Sequence, residues 1–193
     1  MAASTNSHSQ RADILNTLSK EKKKLSLFEI CLFAMFGTLM FGSKLLMEFL
    51  PNIHLIGLFI MVFTIVYRVK ALIPIYIFVF LTGIYGGFTM WWIPYIYIWA
   101  VLWGITMLLP KKMPIWLKTI VYPVVCCLHG LLYGALYAPM QAIMYHFTFE
   151  QTLTWIASGL YFDLLHGAGN LILGLFILPL TELLFKLNKI YKK

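Results

Sequence analysis

The sequence predicts an all-α integral membrane protein, a six-transmembrane-helix bundle with both termini in the cytoplasm. Three observations carry that prediction. Hydrophobic residues make up 61% of the 193-residue chain and charged residues 11%, against about 45–50% and about 25% in an ordinary soluble domain. The apolar residues are gathered in runs long enough to cross a bilayer, which takes roughly 20 residues per span. All but one of the 15 Lys and Arg residues lie at the chain ends or in two short breaks between apolar runs, and the alternate breaks contain none. The exception is Lys44.

Residues 1–24 are polar and end in Lys20, Glu21, Lys22, Lys23 and Lys24. The apolar run after them shows no clear cleavage signature, so it reads as a retained first span, about Leu27 to Leu46. The second span runs from about His54 to Tyr67 and ends at Arg68 and Lys70. It is short for a hydrocarbon core about 30 Å thick. The third covers about Ala71 to Phe88, and the fourth about Trp92 to Leu109, closed by Pro110, Lys111 and Lys112. The fifth, from about Ile115 to Tyr145, contains Pro123 and Pro139, which remove helical hydrogen bonds and are expected to kink or break it. The sixth, from about Leu153 to Leu184, is long enough to include a re-entrant or interfacial first part around Ser158 and Gly159.

The chain thus divides into a cytoplasmic basic segment (1–24), a membrane domain (25–186) and a basic cytoplasmic tail (187–193). The amino terminus, the 68–70 turn, the 110–118 connection and the tail fall on one side, which the positive-inside rule makes cytoplasmic. The connections at 47–53, 89–95 and 146–152 carry no Lys or Arg and face outward. This length leaves no room for a separate soluble catalytic domain. The net charge of +8 is spread over short juxtamembrane segments, so membrane lipid rather than nucleic acid is the expected counterion. Cys31, Cys126 and Cys127 sit in apolar runs without CxxC spacing and read as small buried hydrophobes.

Polar residues that a bilayer excludes are concentrated in the outward half. Lys44 and Glu48 close the first span, Asn52 and His54 follow Pro51, and His146 and Glu150 occupy the last outer connection. Asp163, His166 and Asn170 lie in the sixth span. An ionisable residue within a span costs roughly 2.5–3.5 kcal/mol on insertion scales and marks a functional position by default. Lys44 and Glu48, at i and i+4, are expected to pair on one helix face. Asp163, His166 and Asn170 share another face, where Gly167 and Gly169 permit close approach. Two readings follow: these groups hold the bundle together by bonding one another, or they line a ligand cavity. Trp91, Trp92 and Tyr95 stand at the same mouth. Aromatic residues are expected there as interfacial anchors, and equally as the walls of a small-molecule pocket.

Enzyme chemistry finds less support. Asp163 and His166, with His146 as a third ligand, make an incomplete metal set and HExxH is absent. Ser158 lacks the GxSxG context of a hydrolase nucleophile. No GxxxxGK[ST] phosphate loop occurs, so the chain is not its own ATPase of that type. His129, beside Gly130 in an apolar run, reads as a packed histidine.

The segment Trp155–Asn170, with Ser158, Gly159, Asp163, His166, Gly167, Gly169 and Asn170, and the apolar run that continues to Pro179 and Leu180, resembles the last helix of the substrate-binding S components of energy-coupling factor transporters, a branch of the ATP-binding-cassette type. The resemblance implies a bacterial plasma-membrane subunit that captures a vitamin or related micronutrient at an outward-facing site and hydrolyses no ATP itself. Its implied partners are a transmembrane coupling subunit and two ATPase subunits, with no cofactor and no metal. Contact with the coupling subunit is implied for a small-residue stripe on the first helix, here Ala34, Gly37 and Thr38. Metal-transporting members begin Met-His; Met1, Ala2 and Ala3 argue against nickel or cobalt.

On that reading Lys44 pairs a ligand carboxylate or phosphate, and Glu48 or Asp163 meets a cationic or amide group. Asn52, His54, His146, His166 and Asn170 exchange hydrogen bonds, while Trp91, Trp92, Tyr95, Tyr133 and Tyr137 enclose an apolar ring. The alternatives are an integral membrane enzyme acting on lipid or isoprenoid through Asp163, His166 and Glu48, and a small secondary transporter. Against the latter, the two halves show no evident internal repeat.

Overall fold

The computed structural model describes residues 25–191, and within them all regular structure is helical. The basic residues of 1–24 and the final Lys192 and Lys193 lie outside the described residues. The chain forms two compact units, 1–32 and 33–193, whose boundary falls inside the first helix. In the first unit, α1 (Leu27–Leu46) starts with a reciprocal cap. The Glu29 N–H donates to Ser26 Oγ and the Ser26 N–H to a Glu29 carboxylate oxygen, both at 3.2 Å, which satisfies two amides that a helix start leaves open.

Everything that positions the candidate site lies in the second unit. There α1 is followed by α2 (Ile56–Tyr67), a 3₁₀ turn (Arg68–Ala71), α3 (Leu72–Gly86), α4 (Tyr95–Leu108), α5 (Ile115–Leu131), α6 (Tyr133–Tyr145), α7 (Phe149–Gly174) and α8 (Ile177–Tyr191). By length and composition three runs can cross a membrane, Leu27–Leu46, Ile56–Gly86 and Ile115–Tyr145, and the bent pair α7 and α8 makes a fourth. The helix α4 is apolar but shorter. These runs describe a membrane-embedded protein.

The run Ile56–Gly86 is not one rod. The Trp99 ring lies 5.9 Å from His54 and 6.0 Å from Phe78, positions that a straight helix would hold roughly 36 Å apart. The chain therefore reverses at Arg68, whose φ of 56° lies in the region that non-glycine residues rarely occupy. Two bonds hold it there. The Arg68 guanidinium donates to the Met107 carbonyl at 2.8 Å, and the Trp103 indole donates to the Arg68 carbonyl at 3.2 Å. Since Met107 belongs to the last turn of α4, the arginine also satisfies a carbonyl that the helix end leaves open.

Packing follows from helical spacing. Phe33, Phe36, Gly37 and Met40 form the buried stripe of α1; Phe36 stacks on Phe63 at 4.3 Å and Phe33 meets Tyr67 edge-on at 5.3 Å. A methyl group at Gly37 would sit 2.5 Å from the Ile77 side chain, so Gly37 is used up by α3. Of the stripe proposed for a coupling subunit, Ala34 and Thr38 are exposed and Gly37 is not. Three buried threonines carry their own solution: Thr64, Thr82 and Thr106 each return the hydroxyl to the carbonyl four residues back, so these three donors are not stranded in apolar surroundings.

Two helical expectations are corrected. The fifth run breaks at Leu132, not at Pro123 or Pro139, both of which lie within α5 and α6. The break coincides with the Gly134 amide, which turns away from the helix to the Asp163 carboxylate. The last run begins earlier than Leu153, because Thr148 and Gln151 cap α7 reciprocally, and it passes as one helix through Ser158 and Gly159. It bends instead by 47° between α7 and α8. There Pro179, lacking an N–H, has no bond to offer the Leu175 carbonyl four residues back.

Candidate functional site: a cavity at the Lys44 end

The loop between α1 and α2 meets the first turns of α4 and α6 and the middle of α7 at His166, around a partly open cavity of about 360 Å³. Nine of the sequence-predicted residues line it: Lys44, Glu48, Asn52, His54, Trp91, Tyr95, Tyr133, Tyr137 and His166. They come from four separate stretches of chain. Its size falls in the range of small-molecule pockets, about 300–1,000 Å³.

Close packing of α5 and α6 against α7 sets the floor. A methyl group at Gly130 would come within 2.9 Å of the Gly167 nitrogen and the His166 carbonyl carbon, and one at Gly167 within 2.5 Å of the Leu131 side chain. Only glycine at these crossings lets the helices approach closely enough to bring His166 beneath the loop. Gly169, singled out with Gly167, makes only ordinary contact with Ile53. The His166 ring lies 4.7 Å from His54 and 5.0 Å from Tyr133. Around them Trp91, Tyr95 and Trp99 follow one another edge-to-face at 5.6 Å intervals, and the Tyr137 hydroxyl donates to the Trp91 carbonyl.

Polar chemistry is left open inside these aromatic walls. His54 Nδ1 and His166 Nε2 are shut off from solvent and have no hydrogen-bond partner among the described residues. Burial holds His54, in the connection ahead of α2, at a pKa of about 4, so the ring is neutral and presents a lone pair or an N–H rather than a charge. Behind the cavity, His129 Nε2 sits 3.1 Å from the Ile98 carbonyl and donates to it, which makes its Nδ1 an acceptor. His129 is a packed histidine with one satisfied nitrogen.

Lys44 and Glu48 face the same cavity but form no ion pair with each other among the described residues. The helix ends at Leu46, so Glu48 stands in a turn and the one-turn spacing that would align the two no longer holds. One ammonium and one carboxylate are therefore both available at one mouth.

The other predicted residues are placed elsewhere. Trp92 donates its indole N–H to the Val79 carbonyl at 2.8 Å and packs edge-on against Phe88, serving the α3–α4 joint. His146 is exposed at the left-handed end of α6, with φ 55°. Asn170 is buried and donates to the Cys126 carbonyl at 3.1 Å. Asp163 accepts the Gly134 N–H at 3.0 and 3.2 Å through its two oxygens. The shared face of Asp163, His166 and Asn170 is real, yet two of its three members are tied to backbone groups. Asp163, His166 and His146 do not assemble a ligand set, and no three His, Cys, Asp or Glu side chains converge on a metal position among the described residues.

Residues not anticipated also take part. Met47, Leu50, Pro51 and Ile53 line the cavity, because the loop folds inward after Pro51 with Asn52 at φ 58°. A second cavity of about 500 Å³ lies beyond Tyr133 and Tyr137, where Asn52, Trp155, Phe162 and Asp163 line it; Trp155 stacks on Tyr137 at 5.9 Å. Pro51 followed by Asn52 suits a turn, since Pro fixes its own φ and Asn tolerates a positive one, but nothing in the sequence indicates which way the turn faces. Comparison of the chain with family models, with curated proteins and with solved structures finds no match.

Proposed function

We propose that the chain is a substrate-capture subunit of a bacterial cell membrane, a six-span protein with cytoplasmic termini that takes up a vitamin or related micronutrient and delivers it to an ATP-driven energy-coupling factor module. Helices α1, α2, α3 and α4 serve as single spans, and the broken pairs α5–α6 and α7–α8 as the fifth and sixth. Under the positive-inside rule the Lys44 end then faces outward and the Arg68 end the cytoplasm. The partners are a transmembrane coupling subunit and two ATPases, with Ala34 and Thr38 as the exposed part of the contact stripe.

One observation supports capture above all: two buried imidazole nitrogens without partners belong to histidines that line a partly open, aromatic-walled cavity. Leaving a buried polar atom unmade costs about 1–3 kcal/mol. A molecule that supplies the missing bonds recovers that energy on binding. Lys44, Glu48 and the aromatic faces suit a compact heteroaromatic or zwitterionic solute.

The test separates a ligand role from a structural one. Replacing an unpartnered buried histidine by an apolar residue of similar shape is expected to leave stability equal or higher. His166→Leu should therefore keep or raise the thermal midpoint while lowering affinity for the captured molecule at least tenfold. The molecule is identified by mass spectrometry of the purified protein and by a panel of water-soluble vitamins. No bound solute, no binding from the panel with the fold intact, and no copurifying ATPases would end the proposal.

A further inference from the structure

A further cavity, of about 310 Å³, with a largely apolar lining and a few charged groups, lies at the opposite end of the bundle, between α2, α4, α5 and α8. Arg68, Lys111 and Lys118 line it against a single carboxylate, Glu182, so positive charge is in excess. Those cations come from three different parts of the chain, the α2–α3 turn, the α4–α5 connection and the first turn of α5. The fold, not the local sequence, gathers them.

The cavity also contains a polar group that is otherwise unexplained. Thr181 lines it, is 2% exposed, and its hydroxyl has no partner among the described residues. Thr38, Thr64, Thr82, Thr106, Thr119, Thr152 and Thr154 all return theirs to the carbonyl four residues back. Thr181 does not, although it stands in the same helical setting. Thr181 thus shares the lining of one cavity with three cations while its hydroxyl stays without a partner, and an anion in that cavity would give the hydroxyl an acceptor.

We propose that this cavity binds a phosphate group, with Arg68, Lys111 and Lys118 supplying charge-assisted hydrogen bonds and the Thr181 hydroxyl a fourth donor. Arg68 spends one N–H on the Met107 carbonyl, and the guanidinium retains others for a phosphate oxygen. The chemistry is that of an anionic phospholipid headgroup reached from the bilayer, or of a free phosphate ion reached from water. The site is independent of the capture function, since none of its residues lines the Lys44 cavity.

The experiment is native mass spectrometry of the whole chain released from nanodiscs of either phosphatidylglycerol or phosphatidylcholine, with a parallel titration of inorganic phosphate followed by thermal shift. Arg68 holds the α2–α3 reversal, so the variants are Lys118→Gln and Thr181→Val. Lys189→Gln, which removes the same charge from a residue outside the cavity, is the control. Each cavity variant should lower phosphatidylglycerol retention about tenfold, the effect of one charge-assisted hydrogen bond, and the control should leave it unchanged. Selective phosphatidylglycerol retention that inorganic phosphate does not displace identifies a lipid headgroup. Stabilisation by inorganic phosphate alone, lost in both variants, identifies the free ion. Equal retention of the two lipids with no phosphate shift, or equal losses in Lys118→Gln and Lys189→Gln, overturns the proposal.

Discussion

Asp163→Ala is the substitution that best separates scaffold from site. The Asp163 carboxylate is 5% exposed and accepts the Gly134 N–H at the point where α5 gives way to α6. In an unbroken helix that amide would bond the Gly130 carbonyl, so the carboxylate replaces a lost helical bond and holds the break in place. A hydrogen bond to a charged group contributes about 1.5–3 kcal/mol, and removing the acceptor leaves a buried N–H unsatisfied. At about 2–4 °C per kcal/mol for a chain of this size, the thermal midpoint should fall by about 3–12 °C. Asp163→Asn keeps a carbonyl acceptor and should lose about half as much. Circular dichroism at 222 nm on the detergent-solubilised protein reads the transition, with ligand retention measured on the same samples below it. A midpoint within 1 °C of the wild type, accompanied by lost ligand retention, would refute the reasoning and make Asp163 a ligand contact instead.

Two further outcomes follow from the same geometry. Gly130→Ala should destabilise by about 1–3 kcal/mol, because backbone rather than a flexible side chain opposes the added methyl group. Gly159→Ala, with nothing within 4 Å, should stabilise by up to about 1 kcal/mol through helix propensity; paired thermal melts check both signs. For His54, whose folded pKa is lowered to about 4 from 6.5, the neutral ring contributes stability that is fully present above pH 6.5 and lost as pH falls through the folded value. The wild type should therefore lose stability relative to His54→Gln between pH 6.5 and 4, and a constant difference across that window would count against it.

What the sequence determined by itself was the helical, membrane-embedded class and the position of the apolar runs. The first helix falls where the apolar run predicts it, Leu27–Leu46, since composition and period are local properties of a chain segment. The gathering of polar residues at the Lys44 end was also legible, because ionisable groups in apolar runs are rare and their spacing along a helix is regular. Which of them face a cavity was not. His166, Asp163 and Asn170 share one helical face, yet only His166 lines the Lys44 cavity, while Asp163 bonds Gly134 at the edge of the neighbouring cavity and Asn170 bonds Cys126. That division depends on how closely α5 and α6 approach α7, which Gly130 and Gly167 set across the chain. The reversal at Arg68, the break at Leu132 and the inward fold of the 47–53 loop are likewise decided by tertiary contacts. Backbone groups that leave a helix in apolar surroundings must find partners, and those partners lie far away in sequence.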